Sequence, residues 1–252
     1  MKLRYCLPLL CLVACDEDSA LDDLVSWEEL AETSDEVTWT GTIYDGPYTG
    51  DNDVLTGGSV VVEDLDGQTL TEGEEPYTTY EGYWRLTVPP STDVVLRLSG
   101  DEMYPTMWQV RTPERSALWY SGGLFAYGQE VWGEFFEEIA GELDTTLSED
   151  LCWVWGVPYD ATDWAGASVT ISSTAGKETV EATTQRFSVS DEGVMTPAVA
   201  NAEVDYFFAF DVAAGDVSID IEAADGRTLS LIYPDCAGEV VSAWWLVLPE
   251  GL

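Results

Sequence analysis

The sequence predicts an all-β protein, two antiparallel β-sandwiches with one inserted amphipathic helix. Three observations carry this. Short β-branched and aromatic runs recur, each stopped by Gly, Pro or Asx-Gly. They fall into two blocks, 37–112 and 151–252, that share an order of parts. Between the blocks, at 113–150, the apolar spacing changes from that of strands to that of a helix. The chain has 252 residues, 46% of them hydrophobic, so it can build two small domains and bury a core.

The elements follow in order. Met1-Lys2-Leu3-Arg4 sets two cations ahead of an apolar run at 5–14, the layout of a secretory signal. That run is about half the length of a membrane-spanning helix, which needs roughly 20 residues. Its end, Leu12-Val13-Ala14-Cys15, resembles the lipobox of bacterial lipoproteins. The resemblance implies that residues 1–14 are a lipoprotein signal peptide and that Cys15 is the lipid attachment site and first mature residue. It implies a cell-envelope protein held to a membrane by its lipid; Asp16, directly after Cys15, favours inner-membrane retention in some lineages, and the choice of membrane stays open. Residues 15–36 are acidic, with a short apolar stripe at Leu21, Leu24 and Val25, and read as a tether.

Strands begin at Val37. Val37-Thr38-Trp39-Thr40-Gly41-Thr42-Ile43-Tyr44 breaks at Asp45-Gly46-Pro47. Ser59-Val60-Val61-Val62, Tyr83-Trp84-Arg85-Leu86-Thr87-Val88 and Val94-Val95-Leu96-Arg97-Leu98 complete the first sandwich, 37–112. The connector, 113–150, holds the helix: Trp132, Phe135, Phe136, Ile139 and Leu143 fall on one face, with acids opposite. Packing on its own sandwich is the expected use of that face, and a partner-binding helix is the alternative. The second sandwich, 151–252, has strands at Cys152-Trp153-Val154-Trp155-Gly156-Val157, Ala167-Ser168-Val169-Thr170-Ile171, Tyr206-Phe207-Phe208-Ala209-Phe210, Val217-Ser218-Ile219-Asp220-Ile221 and Ala243-Trp244-Trp245-Leu246-Val247-Leu248.

The shared order is a glycine-bearing first strand (Gly41, Gly156), a Gly-small turn into a Val-rich strand (Gly58-Ser59, Gly166-Ala167), an aromatic strand and another Val- or Ile-rich strand. It resembles the carboxypeptidase regulatory-like domain over about 37–110 and 151–225. That resemblance implies tandem transthyretin-like (prealbumin-like) sandwiches used as accessory modules, with no catalytic residues to carry over. One single sandwich core shared by both β regions is the competing architecture.

Charge and cysteines bound the function. There are 48 Asp and Glu against 9 Lys and Arg, for a formal net charge of −39. Loss of Lys2 and Arg4 with the signal makes the mature chain more negative still. Such a surface repels nucleic acid, so none is expected as a partner. It also repels anionic lipid heads, leaving the acyl chains to hold the protein down. Solubility or a salty medium accounts for the charge without a ligand. Once Cys15 is lipidated and the signal is gone, Cys152 and Cys236 remain. In an exported chain they form one disulfide, or else stay as two buried thiols.

Chemistry is narrowed by the absence of histidine. Ser-His-Asp and Cys-His nucleophiles are excluded, as are histidine-bearing zinc sites. A glycan hydrolase working through carboxylates alone remains as the enzyme alternative. Asp51-Asn52-Asp53 and Asp64-Leu65-Asp66-Gly67 put oxygen ligands on Gly-rich loops, so Asp51, Asp53, Asp64 and Asp66 are candidate Ca²⁺ ligands of a calcium-dependent surface adhesion module. Hairpin turns account for the same residues. Eleven Trp and twelve Tyr raise the prospect of rings stacked on sugars. Strand aromatics such as Trp153, Trp155, Trp244 and Trp245 face a core on the simplest reading. Trp164, in a loop beside Asp160 and Asp163, is the candidate exposed ring for glycan stacking. The expected function is a lipid-anchored, non-catalytic envelope protein, a binding or structural module for a glycan or an envelope protein.

Overall fold

The computed structural model of the protein describes residues 36–46, 58–70, 83–114, 117–118, 124–142, 144, 147–148, 150–158, 164–175, 178–189, 195–197 and 203–246. Its elements begin with β1 (Val37–Asp45), β2 (Ser59–Glu63), β3 (Tyr83–Val88), β4 (Asp93–Ser99), β5 (Met103–Tyr104) and β6 (Thr106–Arg111). Then come β7 (Ala117–Leu118), β8 (Leu124–Gly128), helix α1 (Gln129–Glu142), β9 (Leu151–Pro158), β10 (Ser168–Ala175) and β11 (Glu178–Glu181). The order ends with β12 (Gln185–Val189), β13 (Met195–Pro197), β14 (Tyr206–Ala213), β15 (Gly215–Glu222), β16 (Thr228–Cys236) and β17 (Val240–Leu246). The protein is nearly all β, and its sheets pack face to face as sandwiches.

Both halves follow one strand plan. In the first, β1 pairs antiparallel with β3 and parallel with β7 and β8. Opposite it, β4 lies between β2 and β6. In the second, β9 pairs antiparallel with β14 and parallel with β17. Opposite it, β15 lies between β10 and β16. To the expected antiparallel pairs the structure therefore adds parallel ones. The closing strand of each half runs parallel to its first strand, because it arrives after a long crossover rather than a hairpin.

The repeated glycine now has a physical reason. Gly41 sits opposite Trp84, and Gly156 opposite Phe207. A Cβ on Gly41 would stand 2.6 Å from Trp84 Cζ2, and one on Gly156 1.8 Å from Phe207 Cζ. In each half a buried aromatic ring lies across the bare backbone of the neighbouring strand.

The halves are sewn together by the last strand. β17 pairs parallel with β6 as well as with β9. One sheet of eight strands results, in the order β13-β12-β14-β9-β17-β6-β4-β2. This wall has three covers. On one face Val154, Phe207, Ala209 and Val241 pack against Ile171, Val217, Ile219, Ile221 and Tyr233 of the four-stranded sheet β11-β10-β15-β16. Val95 and Met107 of the first half enter that same core. On the other face, Val62, Val94, Leu96 and Trp108 pack against Val37, Trp39, Ile43, Trp84 and Leu86 of the sheet built on β1. Helix α1 covers the remainder, laying Phe136, Ile139 and Ala140 over Trp153, Trp155, Phe208 and Phe210. Being covered on both faces, β9 is buried from Cys152 to Pro158, which is why its sequence is apolar without alternation.

The helix expected near 131–143 spans Gln129–Glu142. Its start is fixed by two bonds: Gln129 N–H donates to Glu102 O at 2.9 Å, and Gly128 N–H to Asp45 Oδ1 at 2.8 Å. Gly46, with φ +73°, lies under Trp132, whose ring would be 2.0 Å from a Cβ there. On the outer face Glu130, Glu134 and Glu138 are exposed at successive i,i+4 positions. Such like-charge pairs cost about 0.2–0.5 kcal/mol each. The helix persists because its aromatic face is buried, where a side chain such as Phe136 contributes about 1.5–3 kcal/mol.

Cys152 and Cys236 form a disulfide with Cα atoms 6.2 Å apart. It joins β9 to β16 and so staples the two sheets of the second sandwich across their core.

Candidate functional site

A polar constellation lies at the seam between the halves. Arg97 projects from β4 on the face that carries Val95 and Met107. Its Nε donates to Glu63 Oε2 at 2.7 Å and its Nη1 to Glu239 Oε1 at 2.5 Å. Its Nη2 donates to the carbonyl oxygen of Pro234 and, at 3.4 Å, to that of Asp235. One guanidinium thus ties β2 and β4 of the first half to the end of β16 and the start of β17 in the second. Burial alone would lower the pKa of Arg97. Its hydrogen bonds and attraction to Glu63 and Glu239 outweigh that and hold it above its ordinary value.

This is also where two carboxylates converge. A carboxylate-only glycosidase needs its acid pair separated by an open gap of roughly 5–9.5 Å for the sugar and water. Here the Arg97 guanidinium occupies the space between Glu63 and Glu239. The arrangement can clamp two sandwiches together; it has no room to protonate a glycosidic oxygen.

A second polar link crosses the wall at β17. Tyr127 Oη and Ser242 Oγ are 3.1 Å apart, and Tyr233 Oη donates to Ser242 O at 3.3 Å. It connects the layer before α1 to the four-stranded sheet. Burial pushes the Tyr233 phenol up from its ordinary value.

The acidic loop at 64–67 is a turn. Asp64 Oδ1 accepts from the N–H of Asp66 at 3.0 Å and of Gln68 at 2.8 Å. Gly67, with φ +79°, closes it through its N–H to Asp64 O at 3.1 Å. The Asp64 oxygen offered as a Ca²⁺ ligand is thus engaged by the loop's own amides. Asp51 and Asp53 lie outside the described residues. Among the described residues no group of three or more His, Cys, Asp or Glu gathers to hold a metal. The turn at 223–227 is built alike, and there the Arg227 backbone N–H and guanidinium hold the Asp225 carboxyl below its ordinary value.

Trp164 corrects an expectation. It is 1% exposed and stacks on Phe207 with ring centroids 6.0 Å apart and planes 12° apart. The turn closed by Ala167 N–H to Trp164 O, with Gly166 at φ +75°, folds the indole back over the wall. It offers no face to a sugar. Trp153 and Trp155 are likewise buried, under α1. Trp244 and Trp245 lie on β17. Cys15 lies outside the described residues.

Sequence reasoning missed the Arg97 clamp. Its one signal was a cation on an otherwise apolar strand, Val94-Val95-Leu96-Arg97-Leu98. The four arginines whose side chains are described are all engaged: Arg97 as above, Arg111 with Asp93, Arg227 with Asp225, and Arg186 with the carbonyl of Ala167.

No family model matches the chain, and no curated protein matches it. Among solved structures, one of three immunoglobulin domains of titin, in an E-to-A mutated variant, is similar at 6% identity. The match covers 82% of this chain and 62% of that one, with a TM-score of 0.16. The chain therefore spans less than two thirds of that structure's length, and a likeness this slight carries no argument.

Proposed function

We propose that this chain is a lipid-anchored, non-catalytic protein of the cell envelope whose paired sandwiches act as one rigid binding or structural module. The observation that carries the reading is the double pairing of β17, with β9 on one side and β6 on the other. Two modules on a flexible link would present independent surfaces. Here a continuous sheet and the Arg97 clamp fix one module against the other, so a binding face keeps a set orientation at the end of its tether. Pre-organisation of this kind lowers the cost of binding. The lipobox at Leu12–Cys15 supplies the anchor, and the acidic tether supplies the standoff. Neutral glycans and envelope proteins suit the surface better than anionic polymers, given the charge of −39. We read each sandwich as a carboxypeptidase regulatory-like domain, supported by the twice-used strand plan and its Gly41–Trp84 and Gly156–Phe207 pairs.

The test is fractionation with intact mass. The wild-type protein is expected in the membrane fraction, beginning at Cys15 and carrying diacylglycerol. Cys15→Ala is expected to remain as unprocessed precursor. A wild-type chain released soluble, with an unmodified N-terminus, would end the lipoprotein reading.

A further inference from the structure

The disulfide and the Arg97 clamp meet in one corner, residues 234–239, where β16 passes to β17. The corner is tied to both halves. The Pro234 and Asp235 carbonyls accept from Arg97 Nη2, and the Glu239 carboxylate accepts from Arg97 Nη1. The Asp235 N–H donates to Asp216 Oδ1 on β15 at 3.1 Å. Cys236 is bonded to Cys152, and next to Cys152 the Trp153 N–H donates to Glu239 O at 3.0 Å. The Ala237 N–H donates to Glu239 Oε2 at 3.0 Å and so helps to aim that carboxylate. Just past the corner, the Val240 N–H crosses to Pro105 O of the first half at 2.7 Å. Asp235, at φ +47°, and Gly238, at φ +79°, give the corner a left-handed path. A residue with a side chain holds such a path when its surroundings fix it from several sides.

We propose that Cys152–Cys236 is a redox latch gated by the seam: a dithiol reductant reaches it when the Arg97 clamp opens, and its reduction in turn loosens the clamp. Three observations carry this. Cys152 is fully buried and Cys236 is 1% exposed, so the bond is sealed while the corner is closed. The acceptors of Arg97 lie one, two and three residues from Cys236, at Asp235, Pro234 and Glu239, so exposing the Cys236 sulfur moves groups that Arg97 holds. The third is the pairing of 152–153 with 236–239 through one disulfide and one backbone hydrogen bond, which connects the state of the sulfurs to the position of Glu239. A coupling of this kind acts in both directions with equal free energy.

The exchange balances within the reductant and the two cysteines. One thiolate of the reductant attacks a sulfur of the bond, and the other cysteine leaves as a thiolate and takes a proton. The second thiol of the reductant then displaces the first cysteine. The protein gains two electrons and two protons, and the dithiol becomes a disulfide. The rate is that of the exposed bond multiplied by the fraction of chains open at the corner. This latch is separate from the restraint that the disulfide puts on the unfolded chain. It rests on the rigid-module reading above and gives that module's seam a control.

The experiment treats the full-length protein in detergent with excess dithiothreitol and no denaturant, and follows alkylation of Cys152 and Cys236 by peptide mass. It compares wild type with Arg97→Leu, with the milder Glu239→Gln, and with Gly41→Ala, which destabilises the first sandwich away from the corner. Urea unfolding gives the stability of each. Expected is reduction at least about tenfold faster for Arg97→Leu, a smaller acceleration for Glu239→Gln, and less for Gly41→Ala than its loss of stability would give through global unfolding. Conversely, Cys152→Ser/Cys236→Ser should lose hydrogen-exchange protection at the Val240 amide at least about tenfold more than at the amides pairing β1 with β3. Equal reduction of wild type and Arg97→Leu, rates that follow global stability in every variant, or a uniform loss of protection would each overturn the latch and leave the rigid module standing. If Arg97→Leu does not fold, reduction of Glu239→Gln at the wild-type rate overturns it in its place. A Val240 amide already unprotected in the oxidised wild type would overturn the rigid-module reading and the latch with it.

Discussion

Replacing Arg97 by leucine tests how the two sandwiches are joined. The substitution removes the bonds to Glu63 and Glu239 at 2.7 and 2.5 Å and those to the Pro234 and Asp235 carbonyls. The three side chains are only 14–18% exposed, so water replaces little of what is lost. Two carboxylates would be left facing each other beside the core entered by Val95 and Met107. Breaking a buried ion pair by removing one partner costs about 3–5 kcal/mol. Residual exposure puts Arg97→Leu at the lower end, about 3 kcal/mol. The triple variant Arg97→Leu/Glu63→Gln/Glu239→Gln removes the stranded charges and is expected to regain at least half of the loss. Urea unfolding at fixed salt, followed by fluorescence and far-ultraviolet dichroism together, reads both. The single variant should also separate the two probes, because its halves no longer unfold as one. A loss below about 1 kcal/mol, or a triple variant as unstable as the single, would refute the clamp.

Four further outcomes follow from the same structure. Gly156→Ala should cost about 2–3 kcal/mol and Gly41→Ala less, since the new Cβ meets Phe207 at 1.8 Å but Trp84 at 2.6 Å; thermal melts give the order. Cys152→Ala/Cys236→Ala opens a link spanning 84 residues in sequence and should lose about 4–5 kcal/mol in urea unfolding, of which chain entropy is the source. Stability should fall as pH rises above 10.0, because unfolded Tyr233 ionises there while the buried phenol, its pKa raised, does not; Tyr233→Phe should flatten that alkaline limb in a pH series of melts. With a net charge of −39, the melting temperature should climb steeply between low salt and about 1 M NaCl, where the screening length has shrunk to about 3 Å.

Strands and their blocks were legible because β-branched runs and Asx-Gly stops are local signals. The shared glycines were legible too, but their reason was not: Gly41 needs Trp84 and Gly156 needs Phe207, partners over forty residues away in sequence. The parallel docking of β17 on β6 left no local trace, since a strand's sequence does not say which edge it joins. The helix appeared as an amphipathic stripe, and so did its use, because an apolar face that wide is buried most cheaply on its own sheet. Trp164 misled because a polar-flanked indole in a loop looks exposed. A glycine at φ +75° two residues later turns it inward, and only the fold reveals what it meets there. Asp64 and Asp66 carry the letters of both a cation loop and a turn, and the hydrogen bonds of Asp64 form the turn.

The most direct test of the account is hydrogen exchange across β17. The single-module reading predicts that amides of residues 240–246 exchange as slowly as those of β9 and β14, and that β6 shares their protection. Fast exchange in β17 and β6, with β9 and β14 still protected, would mean that the two sandwiches are separate bodies and that the seam does not hold.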